Sequence, residues 1–177
     1  MSPTQYFEDI DVGERREFGN RTVSRDEILE FATQYDPQPI HTDEAPATET
    51  MMGGLVASGW HTAAICMRLI VDNMSDRAFA GARGIDELRW IQPVRPGDTL
   101  SLEVEVLEKR PADGRAEIGY VDERLTGYNQ DGDAVISWIS LEMVYRRSAL
   151  EKTDGDTTGE TTGEEKDGSE GGDEDSR

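Results

Sequence analysis

The region 87–146 is a succession of strand-like segments, and this pattern constrains the fold more than any other feature of the sequence. In its clearest part, 100–106, apolar and polar residues alternate, as is typical of a strand with one buried face. We predict strands over 87–94, 100–106, 115–128 and 134–146. Turn sequences separate them: Arg95-Pro96-Gly97-Asp98, Asp113-Gly114 and Asp131-Gly132.

Two helical segments precede these strands. Ser24 can cap the first helix and Glu27 can complete a capping box, after which apolar residues recur at helical spacing up to Tyr35. This helix should end before Asp36, because the proline that follows disfavours helical geometry. The second segment, 53–74, is apolar on most of its surface, so we predict a long and largely buried helix.

A further strand over 14–23 gives the order strand, helix, long helix and a run of strands. An antiparallel sheet wrapped around one central helix accounts for this order, so the predicted fold class is α+β. Residues 1–150 have the composition of one compact domain, whereas 151–177 contain almost only Asp, Glu, Gly, Thr and Ser. We expect the second segment to be disordered, as a solubility tail or a partner-binding segment.

The chain is strongly acidic, with 38 Asp and Glu against 18 Lys and Arg and a formal net charge of -20. Such a surface repels nucleic acid and anionic membranes, so neither is an expected partner. Acid excess with few lysines resembles the cytosolic proteins of salt-accumulating halophiles, and an acidic protein of an ordinary organism is the alternative. The first residues carry acids rather than a signal segment, and polar residues interrupt the most apolar window. We therefore expect a cytoplasmic protein.

The strongest candidate for a chemical site is the segment Asp36-Pro37-Gln38-Pro39-Ile40-His41. It carries a carboxylate and an imidazole on a stretch that two prolines stiffen, and we expect His41 on a rigid loop after the first helix. A carboxylate and an imidazole can hold one water between them and exchange protons with it. From the spacing alone, a helix-capping Asp and a hydrogen-bonded His are the simpler explanation. Asp43 can cap a short helix that ends by Thr50.

Three groups of residues occur in one order along the chain. They are Phe31 with Asp36-x-x-Pro39-Ile40-His41 and Ala47, then Gly54-Leu55-Val56-Ala57-Ser58-Gly59, then Pro93-Val94-Arg95-Pro96-Gly97-Asp98-Thr99-Leu100. This series resembles the MaoC-like family, the (R)-specific enoyl-CoA hydratases and acyl dehydratases, over about 6–147. The resemblance implies a hotdog fold, a homodimer, a tunnel for an acyl-CoA thioester at or near the subunit interface, and no cofactor.

By this resemblance Asp36 and His41 are the catalytic pair that holds the attacking water, and either can be the base. We expect substrate contacts from four further residues: Ser58, Gly59, Met67 and Arg68. Arg68 falls where the family often has a glycine that donates its backbone N–H to the thioester carbonyl. Its side chain either binds an acidic acyl group or pairs with Asp72 one turn further along.

Three functions compete at this point: reversible hydration of an enoyl-CoA, hydrolysis of an acyl-CoA thioester, and non-catalytic binding of acyl-CoA. Loss of Asp36 and His41 would leave only the third function intact. Cys66 lies in an apolar stretch and is more simply a buried hydrophobe than a reactive thiol. His61 is more simply a core or pocket-lining residue than a catalytic one. With two histidines, one cysteine and no Cys/His cluster, we expect no transition metal.

Overall fold

The computed structural model describes residues 3–149 of the 177-residue chain. A short 3-10 helix (Phe7–Asp9) is followed by β1 (Arg15–Thr22), α1 (Arg25–Tyr35), α2 (Pro39–Thr42), α3 (Glu44–Thr48) and α4 (Gly59–Asn73). Four strands complete the fold: β2 (Phe79–Trp90), β3 (Thr99–Pro111), β4 (Ile118–Tyr128) and β5 (Ala134–Tyr145). The segment predicted to be a tail, 151–177, lies outside the described residues.

The strands form one sheet in the order β1-β3-β4-β5-β2, and every neighbouring pair is antiparallel. Burial alternates along β3, β4 and β5, so one face of the sheet is turned to the core. The helix α4 packs against that face through Ile65, Cys66 and Leu69, which share a core cluster with side chains of β3, β4 and β5. The predicted α+β architecture, an antiparallel sheet around one central helix, is therefore confirmed.

The predicted ends of α1 are confirmed. Ser24 is the N-cap, and its Oγ accepts the Glu27 N–H at 3.2 Å. The helix ends at Tyr35, and Asp36 is the C-cap residue. His41 does not lie on a loop as expected, because Pro39 begins a one-turn helix, α2, that carries it. Proline is favoured at this position, because its fixed φ suits the first residue of a helix and its missing N–H is not needed there.

The central helix begins later than predicted. Gly53 and Gly54 have φ angles of +65° and +151°, outside the range of a right-handed helix. Residues 55–58 are not helical, and the Ala57 N–H donates to Val94 O at 2.8 Å instead. Ser58 then caps α4, because its Oγ accepts the Trp60 N–H. The apolar pattern of 53–58 comes from burial of an extended segment, which the sequence does not distinguish from burial of a helix.

The edge strand β2 begins at Phe79, earlier than the predicted start at 87. Its pairing with β5 shifts register at three points, and most of its residues are exposed. A strand with bulges and little buried surface does not show the alternation from which strands are predicted.

The prediction that the central helix is largely buried is wrong for one of its faces. Trp60 and Val71 are 57% and 61% exposed, and Met67 is also exposed in the single chain. These side chains lie opposite the face that packs on the sheet. Across residues 3–149, no helix combines the length and the apolar character that crossing a bilayer requires.

A charged cluster is buried between the sheet and the N-terminal segment. Arg77 Nη1 donates to Glu123 Oε1 at 2.5 Å and to Glu142 Oε2 at 3.1 Å, and Arg77 Nε donates to Gln5 Oε1 at 3.3 Å. One guanidinium therefore serves two buried carboxylates. Burial, followed by the charge of Glu123, raises the pKa of Glu142 to about 7, although Arg77 opposes the shift.

We predict that Glu142 makes folding stability decrease as the pH rises. Its folded pKa of about 7 lies above its ordinary value of 4.5, so the folded state retains a proton that the unfolded state has released. The contribution is fully present below the ordinary value and is lost as the pH rises through about 7. Glu142→Gln should remove this dependence and stabilise the protein by on the order of 2–3 kcal/mol at about pH 8. Urea unfolding across this pH range measures the difference.

The exposed Glu30 of α1 supplies the control for this experiment. Glu30→Gln makes the same chemical change at an exposed position, and its unfolding is measured alongside at each pH. Parallel curves for the wild type and Glu142→Gln would contradict the assignment.

Candidate active site

Asp36 and His41 are brought together by the short segment between α1 and α2. The Asp36 N–H donates to Ala32 O at 2.9 Å and so closes α1, and the His41 N–H donates to Gln38 O at 2.9 Å at the start of α2. The two prolines fix the backbone between these points. The Asp36 side chain is 19% exposed, and the His41 side chain is buried at 9% exposure.

The Asp36 and His41 side chains face one another. His41 Nε2 lies 3.6 Å from Asp36 Oδ2, which is too far for a hydrogen bond and close enough for both atoms to bind the same water. On its other side, His41 Nδ1 lies 2.8 Å from Val56 O. A carbonyl oxygen only accepts, so Nδ1 carries the proton and donates. In the neutral imidazole the lone pair is then on Nε2, towards Asp36.

Both oxygens of Asp36 accept hydrogen bonds from neutral groups. Ser58 Oγ donates to Oδ2 at 2.6 Å, and Gln38 Nε2 donates to Oδ1 at 2.7 Å. The bond from Ser58, followed by the bond from Gln38, holds the pKa of Asp36 below its ordinary value; burial opposes this, and His41 makes a smaller contribution in the same direction. Asp36 is therefore a carboxylate at neutral pH.

The pair lies in the wall of a cavity of about 430 Å³. The polar residues of the wall are Asp36, Gln38, His41, Ser58, Thr62 and Gln92. The remaining wall is formed by Gly59 and by ten apolar residues: Ile40, Met52, Val56, Ala57, Trp60, Trp90, Ile91, Pro93, Val94 and Val135. A mostly apolar cavity with a few convergent polar groups is the usual form of a small-molecule site.

Two tryptophans form one side of this cavity. The rings of Trp60 and Trp90 meet edge to face, with their centroids 5.3 Å apart. The indole of Trp90 lies directly against Gly59, where a Cβ would be 2.3 Å from Trp90 Nε1. Only glycine at position 59 allows this approach, so the close packing of Trp90 explains why the first residue of α4 has no side chain.

The structure brings only some of the predicted site residues together. Asp36, His41, Ser58 and Gly59 line the cavity, whereas Met67 and Arg68 are not among its lining residues. The Arg68 side chain is 65% exposed, and its Nε donates to Asp72 Oδ2 at 2.8 Å. Of the two roles considered for Arg68, the structure contains the ion pair with Asp72.

Other candidates lie away from the cavity. His61 is buried, and its ring stacks on Phe31 with the centroids 4.7 Å apart. Burial also raises the pKa of Cys66 to about 12, so a thiolate is strongly disfavoured there. Both residues are accordingly part of the core.

The sequence did not identify Trp90 or Gln92 as cavity residues. Their position depends on the pairing of β2 with β5, which is irregular and which no local pattern reveals. Trp60 directly follows Ser58 and Gly59, and this proximity in sequence was the one available indication that it lines the cavity.

An antiparallel sheet wrapped around a central helix is the hotdog architecture. Residues 9–126 match the family model described as MaoC like domain. The chain therefore belongs to the MaoC-like family of hotdog proteins.

Known proteins agree with this assignment. The solved structure of a MaoC-like dehydratase from Rhodospirillum rubrum has 39% sequence identity and a TM-score of 0.75, covering 81% of this chain and 99% of that one. The protein YdeM of Bacillus subtilis, described as uncharacterized, is 35% identical over 126 residues, or 70% of this chain and 87% of YdeM. A 3-hydroxybutyryl-CoA dehydratase of Methylorubrum extorquens is 33% identical over 115 residues, or 64% of this chain and 71% of that enzyme.

Proposed function

We propose that this protein catalyses the reversible hydration of a trans-2-enoyl-CoA to an (R)-3-hydroxyacyl-CoA, with Asp36 and His41 as the acid–base pair. The observation that carries the proposal is the 3.6 Å separation of His41 Nε2 and Asp36 Oδ2 in the wall of an apolar cavity. The relationship to a 3-hydroxybutyryl-CoA dehydratase supports the same chemistry. The (R) configuration is carried over from the family.

The hydrogen bonds of the pair suggest how the roles are divided. His41 Nε2 holds a lone pair, because Nδ1 donates to Val56 O, and it accepts a proton from the water as the water oxygen bonds to the β-carbon. The imidazolium then returns that proton to the α-carbon on the same face. Asp36 remains ionised, orients the water and stabilises the imidazolium while it exists.

The thioester carbonyl is best placed at the start of α4. The first turn of a helix has N–H groups without an acceptor inside the helix, and it carries a partial positive charge. Gly59 opens α4 and lines the cavity, so negative charge that develops on the carbonyl oxygen is stabilised there. Arg68 lies well inside α4, where backbone N–H groups bond to carbonyls of the preceding turn.

The acyl group that suits this cavity is uncharged. Within residues 3–149, the side chains that line the cavity include neither Lys nor Arg, and Asp36 already contributes a negative charge. A carboxylate on the acyl group would be repelled by the carboxylate of Asp36, and no cation in the cavity wall would offset that repulsion. Because Arg68 pairs with Asp72 elsewhere, it does not supply that cation in the single chain.

The exposed apolar surface suggests a homodimer. Trp60, Met67 and Val71 are exposed on α4, and Phe79 and Ile85 are exposed on the edge strand β2. Large apolar patches and unpaired strand edges of this kind are usually covered by a partner. We propose that a second copy of the chain covers α4 and pairs with β2. We further propose that the protein is cytoplasmic and that its acidic surface is adapted to concentrated salt.

We predict that Asp36→Asn and His41→Ala each reduce hydration of crotonyl-CoA by roughly 100- to 10,000-fold, the usual contribution of general acid–base catalysis. The rate is followed by the loss of the enoyl thioester absorbance in molar salt. Asp72→Asn is the control, because it removes an acid from an exposed ion pair outside the cavity and should retain activity. Unchanged rates in both site variants would reject the pair as catalytic.

A thiol reagent in the same assay separates hydration from hydrolysis. Release of free CoA that depends on Asp36 would identify a thioesterase and overturn the proposed reaction.

We predict that crotonyl-CoA is preferred over mesaconyl-CoA by at least roughly tenfold in kcat/KM, because a carboxylate near Asp36 costs a few kcal/mol at the effective dielectric of a protein surface. Gln92→Arg adds a cation to the exposed wall and should narrow this ratio, whereas the neutral Gln92→Met should not. Equal use of the two substrates by the wild type would show that the site accepts an acidic acyl group.

We predict that the wild type elutes as a dimer on size exclusion in molar salt and that Val71→Glu converts it to a monomer, because the substitution places a charge in the apolar surface. Val12→Glu is the matched control, since Val12 is equally exposed and lies outside α4 and β2. A monomeric wild type with full activity would contradict the proposed interface.

A further inference from the structure

We propose that Ser58 is a positioning residue for the acid–base pair. Its hydroxyl fixes Asp36 and donates no hydrogen bond to the substrate. This inference rests on the proposed function. It changes the role expected for Ser58 from the sequence, which was contact with the substrate.

The hydrogen bonds of Ser58 leave its hydroxyl a single orientation. Ser58 is 1% exposed, its Oγ lies 2.6 Å from Asp36 Oδ2, and it accepts the Trp60 N–H at 3.2 Å. An ionised carboxylate only accepts and a backbone N–H only donates, so the directions of both bonds are fixed. The one hydroxyl proton is therefore committed to Asp36, and none remains for a thioester carbonyl.

Ser58 belongs to a three-residue segment, 56–58, that holds both members of the pair. Val56 O accepts from His41 Nδ1, while Ser58 Oγ donates to Asp36 two residues later. Both bonds are therefore made by the same short stretch of chain. The separation of Asp36 and His41 is consequently set by segment 56–58.

The segment 56–58 is itself held in place. Its three residues are buried, the Val56 N–H donates to Ile40 O at 3.3 Å, and the Ala57 N–H donates to Val94 O at 2.8 Å. At its end, Ser58 continues into α4, which is fixed against the sheet. A side chain attached to such a support holds its partner at a defined position, and the side chain of Ser58 makes a hydrogen bond to Asp36.

The hydroxyl also influences the charge of Asp36. Its hydrogen bond is the largest contribution that holds the pKa of Asp36 low, ahead of the bond from the exposed Gln38. Without it, the carboxylate keeps the bond from Gln38, gains freedom to rotate, and binds a proton at higher pH. Loss of Ser58 Oγ should therefore affect catalysis by displacement and by protonation of Asp36.

The test compares Ser58→Ala with Ser58→Gly. Both variants remove the hydroxyl, and they differ in how well they cap α4, since glycine is an acceptable N-cap and alanine is a poor one. Both should lower kcat for crotonyl-CoA by roughly 10- to 100-fold, the size expected for a misplaced catalytic group, with little change in KM. The acidic limb of the plot of kcat/KM against pH should move to higher pH in both.

Three results would overturn the inference. Wild-type activity in Ser58→Gly would show that Ser58 acts only as a helix cap. A raised KM with unchanged kcat would show that Ser58 binds the substrate. An acidic limb that stays in place in both variants would show that Ser58 does not control Asp36.

A second measurement separates this inference from the proposed reaction. Carbon NMR of the Asp36 carboxyl follows its titration without any substrate, and its midpoint should move to higher pH in Ser58→Gly. If the midpoint moves and no enoyl-CoA is hydrated by the wild type, the proposed reaction fails and the positioning role stands. If the wild type is active and the midpoint is unchanged, the positioning role fails alone.

Discussion

Burial of one face of α4 against the antiparallel sheet is the constraint on which the rest of the structure depends. The side chains of Ile65, Cys66 and Leu69 pack against side chains of β3, β4 and β5. This packing removes apolar surface of both the helix and the sheet from water. Because this packing fixes the helix, it also fixes the position of its N-cap, Ser58. Asp36 is then bonded to Ser58 and His41 to Val56, two residues before Ser58, and the two side chains are not bonded to each other.

The elements that the sequence predicts well are those in which local pattern and burial agree. The strands β3, β4 and β5 each have one face on the core, so their alternation is visible in the sequence. The edge strand β2 is exposed and irregular, and the segment 53–58 is apolar without being helical. In both segments the pattern of apolar residues is set by the tertiary surroundings, so it does not reveal the secondary structure. Backbone torsions at Gly53 and Gly54 are not encoded in hydrophobicity at all.

The proximity of Asp36 and His41 was predictable because the two residues lie close in sequence, on a segment stiffened by prolines. The residues that support them were not predictable, because Val56, which accepts from His41, and Ser58, which donates to Asp36, lie 15 and 22 positions from their partners. Such contacts exist only once the helix is docked on the sheet. A motif can therefore identify candidate groups for a site, whereas the residues that set their separation and charge are found only in the fold.

The carboxyl groups of Asp36 and Glu142 have pKa values shifted in opposite directions, because their surroundings favour opposite charge states. Asp36 accepts two hydrogen bonds from neutral donors, which stabilise its charged form. Glu142 instead shares one guanidinium with Glu123 in a less exposed site, where the uncharged form is favoured. Acid conditions thus relieve the cluster around Arg77 while they protonate Asp36. Loss of activity on the acidic side would accordingly report on the proposed pair of Asp36 and His41, whereas loss of stability between about pH 4.5 and 7 reports on the buried cluster.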